Sequence, residues 1–112
     1  MKQFETVTFQ YYNSGTQFSE RSFNLQIGFK PNKMTVKQCF VAESSGNYVF
    51  YIKCPQISIQ PIVIGKTNEN SNTDNKFNCN FAGNSMLTFN FYDNTHTLYQ
   101  IDYVGLVIEF SE

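Results

Sequence analysis

Short apolar runs that alternate with polar residues constrain this chain more than any other feature in it. Phe23, Leu25, Ile27 and Phe29 fall at every second position, as do Tyr48, Phe50, Ile52 and Cys54. The pattern returns at Leu87, Phe89 and Phe91 and at Val104, Leu106, Ile108 and Phe110. A strand turns successive side chains to opposite faces, so each run buries one face of a sheet. The predicted core is Phe23, Leu25, Ile27, Phe29, Phe50, Ile52, Leu87, Phe89, Leu106, Ile108 and Phe110. No window places apolar residues at helical spacing with capping residues at its ends.

Turn chemistry divides the chain into about eight strands. The first is read over 4–11, with Val7, Phe9 and Tyr11 on one face, and ends at Asn13-Ser14-Gly15-Thr16. Strand two is read over 22–29 and strand three over 34–41. Lys30-Pro31-Asn32-Lys33 joins them as an expected hairpin, because Pro presets a tight turn. Ser44-Ser45-Gly46-Asn47 precedes strand four, 48–54. Pro55 and Pro61 bracket Ile57 and Ile59, which puts a fifth strand at an edge or breaks it, since Pro cannot donate to a ladder. Ile62-Val63-Ile64 continues it after a kink. Residues 66–76 contain no apolar side chain, which predicts an exposed, mobile loop. Phe77, Cys79 and Phe81 alternate as strand six, strand seven is read over 87–92, and 98–110 supplies the last. Gly105 inside that strand marks a bulge or a close approach.

Turn signals every 8–12 residues indicate a sandwich or barrel. The expected fold is all-β: one antiparallel β-sandwich domain over 1–112, jelly-roll-like, because eight strands fit two four-stranded sheets built from two Greek keys. A seven-stranded immunoglobulin-like sandwich is the alternative, but there is no Trp for its Cys–Trp–Cys pattern.

The search for chemistry returns little. A formal net charge of −1 argues against a nucleic-acid surface, which needs a basic patch. No run approaches the roughly 18 apolar residues of a membrane span, and the N-terminal residues do not read as a signal peptide. Cys39, Cys54 and Cys79 form no CxxC pair, so no zinc site is expected. They read as buried, reduced thiols, which fits a reducing intracellular compartment. His96 is the only histidine. It sits in a polar turn after Asp93, with no Gly-x-Ser-x-Gly elbow anywhere in the chain. Glu69 and Asp74 lack the calcium-loop grammar, and no carboxylate pair stands out for acid–base work. The expectation is therefore no catalytic residue, no metal, no cofactor and no enzyme activity.

What remains is aromatic. Phe and Tyr make up 17% of the residues, whereas charged residues make up only 15%, below the usual quarter. Tyr51, Tyr92 and Tyr99 fall off the main apolar register. With Tyr103 they are the candidate interface or ligand-contact residues. As ordinary strand residues they would simply cover an outer sheet face.

The segments Tyr48-Val-Phe-Tyr-Ile-Lys-Cys-Pro, Phe81-Ala-Gly-Asn-Ser-Met-Leu-Thr-Phe-Asn-Phe-Tyr-Asp-Asn and Gly105-Leu-Val-Ile-Glu-Phe resemble, over most of 22–112, the small single-jelly-roll structural proteins of eukaryotic double-stranded DNA viruses, including virophages and polinton-like viruses. That resemblance implies a minor capsid, penton-like or vertex protein of the virion. It would self-associate as a trimer or pentamer and meet other capsid proteins. A ligand-binding sandwich, such as a carbohydrate-binding or receptor-binding head contacting glycan through its tyrosines, is the alternative.

Overall fold

The computed structural model describes residues 2–112. It contains eight strands: β1 (Phe4–Tyr12), β2 (Glu20–Gln26), β3 (Lys33–Ala42), β4 (Val49–Lys53), β5 (Val63–Lys66), β6 (Asn70–Asn78), β7 (Asn84–Asp93) and β8 (Tyr103–Ser111). They form two four-stranded sheets with orders β1-β8-β3-β6 and β2-β7-β4-β5, and every pairing is antiparallel. Only β4 and β5 are consecutive strands paired within one sheet. Each other connection carries the chain across the sandwich. This is the jelly-roll connectivity, and the all-β expectation stands.

The alternation predicted from sequence builds the core. Leu25, Phe50, Ile52, Leu87, Phe89, Leu106, Ile108 and Phe110 are buried, while Phe23, Ile27 and Phe29 pack partly buried against them. Aromatic rings tie the sheets together. Phe9 of β1 stacks on Phe23 of β2 at 5.0 Å between centroids and meets Phe89 of β7 at 6.1 Å. Each such ring contributes about 1.5–3 kcal/mol by leaving water.

Several expectations need correction. β2 and β3 are not a hairpin: they lie in different sheets. The Lys30–Lys33 turn reverses the chain, but the reversal carries it over the end of the sandwich. Residues 66–76 are not a loop. Only 67–69 turn, and Asn70–Asn78 forms β6, paired along β3. As an edge strand β6 needs backbone partners more than apolar side chains. Its Thr73 hydroxyl and Asn75 amide bond the carbonyls of Val36 and Ile62. An edge that is polar at every position but Phe77 also discourages unwanted pairing with another chain. Cys79 and Phe81 lie beyond its end. Ile57 and Ile59 form no strand, because Pro55–Pro61 is a turn-rich loop, but β5 after it does lie at an edge. Likewise the last strand begins at Tyr103, and Leu98 joins β7 only by an isolated bridge.

The bulge is in β3, not at Gly105. Its register shifts between Val36 and Gln38. Met34 and Val36 face the core at even positions, then Cys39 and Val41 at odd ones. One extra residue re-phases the strand so that both halves bury their apolar side chains. At Gly105 the close approach is real but comes from a side chain. The Tyr103 ring lies across it, and an added Cβ would meet the Tyr103 hydroxyl at 2.8 Å.

Candidate functional site

The four candidate tyrosines separate into three places. Tyr51 on β4 and Tyr92 on β7 are cross-strand partners. Directly opposite partners share a sheet face, here the outer face of the second sheet. Tyr51 also pairs with Ile64 on β5, and Tyr92 bridges to Leu98. The result is one row across that face, Ile64–Tyr51–Tyr92–Leu98. Its end members are 60% and 55% exposed. The His96 ring stacks on Tyr51 at 5.1 Å and 11°, and the Lys53 ammonium lies 5.0 Å from the Tyr92 ring centre. Nothing in the sequence linked Ile64 or Leu98 to these tyrosines, because only the strand pairing aligns them.

Tyr103 belongs to the other sheet. It lies over Gly105, 6.2 Å from the Phe40 ring, and its hydroxyl bonds Gln10 at 3.3 Å. It covers a glycine gap in the sheet surface and does not join the first two tyrosines.

Tyr99 lies at one end of the sandwich. There the loop between β3 and β4 meets the chain after β7. A recess of about 330 Å³ is lined by Ser45, Tyr48, Val49, Asp93, Asn94 and Tyr99. Its wall is held by the turn between β5 and β6. The buried Thr67 hydroxyl donates to the Gly46 carbonyl at 2.6 Å and accepts from the Tyr48 amide at 2.9 Å. Asn68, at φ 64°, donates to the carbonyls of Glu43 and Gly46 and accepts from the Glu43 amide. Asn tolerates that left-handed backbone better than most residues.

Two carboxylates belong to this end. Glu43 is only 7% exposed. Burial works against its charge, but the side chains of Ser45 and Tyr99 and the backbone amides of Ser45 and Ser44 donate to it and hold its carboxyl below the usual range. In turn, burial and the Glu43 charge push the Tyr99 hydroxyl up to about 12. Asp93 is exposed. Its Oδ1 accepts from the Thr95 hydroxyl at 2.6 Å and from the Thr95 and Thr97 amides at 2.8 and 3.1 Å, bonds that also lower its carboxyl. With Oδ1 committed to Thr95 and Thr97, and the His96 ring committed to Tyr51, these two residues are not arranged as orienting acid and base.

A larger recess, about 610 Å³, lies at the ends of β1, β3 and β8. There Lys2, Lys33 and Lys76 face Glu109 and Glu112, and the charges largely offset one another. Among the described residues no cluster of His, Cys, Asp and Glu suits a metal ion, and no helix is long and apolar enough to cross a membrane. All three cysteines are free, Cys39 and Cys54 buried and Cys79 partly so.

No family model and no curated protein matches the chain. Among solved structures, the crystal structure of Drosophila NLP-core covers 100% of this chain and 98% of that one, at 18% identity and a TM-score of 0.46. That structure is described as giving insight into pentamer formation and histone binding. A likeness of this size transfers neither partner nor assembly.

The expected virion role is corrected here. The fold comparison brings forward a Drosophila core associated with histone binding, not a viral structural protein. The segments behind the viral resemblance include β4, β7 and β8, whose pattern any jelly roll needs to fill its core. They indicate the fold and not the viral proteins that share it.

Proposed function

We propose that this chain is a non-catalytic β-sandwich that works by associating with copies of itself through the outer face of β2-β7-β4-β5. One observation carries the reading: the Ile64–Tyr51–Tyr92–Leu98 row, which runs from the free edge at β5 across the sheet. Ile64 and Leu98 are exposed and the two tyrosines between them half-buried, and apolar side chains gathered in one place mark contact surfaces, whereas scattered ones do not.

The charges on that face favour a second copy as occupant. Lys53 and Lys66 flank the row on the β4–β5 side, and Glu20 lies on β2 at the opposite edge. A face cationic at one edge and anionic at the other is complementary to itself. Where the cationic edge of one copy meets the anionic edge of the next, the contacts run head to tail and close into rings, and trimers and pentamers are the proposed closed forms. The test is light scattering coupled to size exclusion on the native chain and on an Ile64→Asp/Leu98→Asp variant. Both positions are exposed, so the variant folds. The native protein is expected to elute as an oligomer and the variant as a monomer.

A further inference from the structure

We propose that the recess between Tyr48, Tyr99 and Asp93 is a binding site for an alkylammonium group, the chemistry shared by a lysine side chain and the end of a polyamine. The recess lies at one end of the sandwich, formed by the β3–β4 loop and the chain after β7. Its lining holds two aromatic side chains, Tyr48 and Tyr99, and one carboxylate, Asp93. Behind the Tyr99 hydroxyl, at 2.8 Å, lies Glu43. No lysine or arginine is among the lining residues. Among the described residues the recorded ion pair joins Lys37 to Asp74, and neither belongs to this recess. A buried carboxylate is normally paired or coordinates a metal. Glu43 instead keeps its charge on neutral donors, so the negative potential at this end is not cancelled from within the chain.

The geometry suits a cation with an apolar stem. Aromatic faces attract ammonium groups placed over them. Ser45 and Asn94 add neutral polar side chains to the lining, and Val49 adds an apolar one for methylene groups. The walls are set before any ligand arrives. Thr67 bonds the Tyr48 amide, the Tyr48 carbonyl accepts from the Thr67 amide at 2.9 Å, and the Thr95 and Thr97 bonds fix Asp93. A site held in this way loses little freedom on binding. The larger recess at the other strand ends lacks these properties, because its lysines and glutamates offset one another.

The test is a titration followed by amide NMR, with n-butylammonium chloride as probe and n-butanol as its neutral counterpart. Sodium chloride at matching concentration controls for ionic strength. Expected are shifts confined to the amides of Ser45, Tyr48, Asn94 and Tyr99, with affinity in the millimolar range usual for one small cation. Asp93→Asn keeps an oxygen for the Thr95 and Thr97 bonds and removes the charge. It is expected to weaken binding up to roughly fivefold. Tyr48→Leu is expected to weaken it roughly two- to fivefold. Tyr48 is half exposed, so the fold survives its loss, and an unchanged spectrum elsewhere verifies this for both variants. N-acetyl-lysinamide against 1,4-diaminobutane then separates a protein side chain from a free polyamine as the source. Equal binding of n-butanol, indifference to Asp93→Asn, or no shift at these four amides would overturn the proposal.

Discussion

Replacing Thr67 with Val tests whether one buried hydroxyl holds the loop between β3 and β4. The two side chains have nearly the same shape, so the substitution leaves no cavity and acts through hydrogen bonding alone. Thr67 has no exposed surface, and its hydroxyl links the Gly46 carbonyl at 2.6 Å to the Tyr48 amide at 2.9 Å. Valine leaves both backbone groups without that partner. A stranded buried donor or acceptor costs about 1–3 kcal/mol. Asn68 still donates to the Gly46 carbonyl at 3.0 Å, so that group stands at the low end, and the expected loss is about 2–4 kcal/mol. At an m-value of about 2 kcal/mol/M, the urea midpoint falls by about 1–2 M. Thr67→Ser is the control, since it keeps the hydroxyl and loses one methyl, about 1 kcal/mol. Equilibrium urea unfolding followed by circular dichroism reads all three proteins. If the Val variant matches the native midpoint, or the Ser variant is the less stable of the two, the hydroxyl does not hold the loop.

Three further outcomes follow from the same packing. Ile108→Asp places a carboxylate in the centre of the core and abolishes cooperative folding; a soluble variant with a sharp melting transition contradicts the register of β8. Burial pushes the Cys39 thiol up to about 12 and Cys54 to about 11, whereas Cys79 is only partly buried. Maleimide labelling under native conditions, read by mass spectrometry, therefore modifies Cys79 first, because the thiolate is the reacting form; labelling of Cys39 before Cys79 contradicts the assigned burial. The Glu43 carboxyl has a folded value below its ordinary one near 4.5. Its contribution is thus fully present above the unfolded value and is lost as pH falls through the folded one. Urea stability of Glu43→Gln should show a shallower acid decline than the native chain, and parallel curves would exclude this role.

The core strands were legible because their inward positions are apolar and their spacing is two. β6 was not, because its sequence Asn70–Asn78 carries only Phe77 as a core contact and is defined by backbone pairing to β3. The bulge left a trace that alternation alone does not interpret: the buried set of β3 shifts from Met34 and Val36 to Cys39 and Val41. Turn chemistry at Lys30–Lys33 showed where the chain reverses but not that it changes sheets. The tyrosines show the same boundary. Tyr51 and Tyr92 were recognised as outward-facing, yet their shared row with Ile64 and Leu98 depends on β4-β5 and β4-β7 pairing. Tyr99 shares their off-register position in the sequence but lies beyond the end of β7, and Tyr103 lies on β8 of the other sheet. Glu43 and Thr67, which shape the end recess, gave no sequence signal at all, since a lone acid after a strand and a Thr in a polar stretch look like ordinary surface.

The most direct test of the account is the mass of the particle in solution. Sedimentation velocity over a concentration series is expected to show the native chain as one defined oligomer several times the 13.0 kDa of a single copy. The Ile64→Asp/Leu98→Asp variant is expected to sediment as a folded monomer. A native chain that stays monomeric at high micromolar concentration, or a double variant that assembles as the native chain does, contradicts self-association through this face.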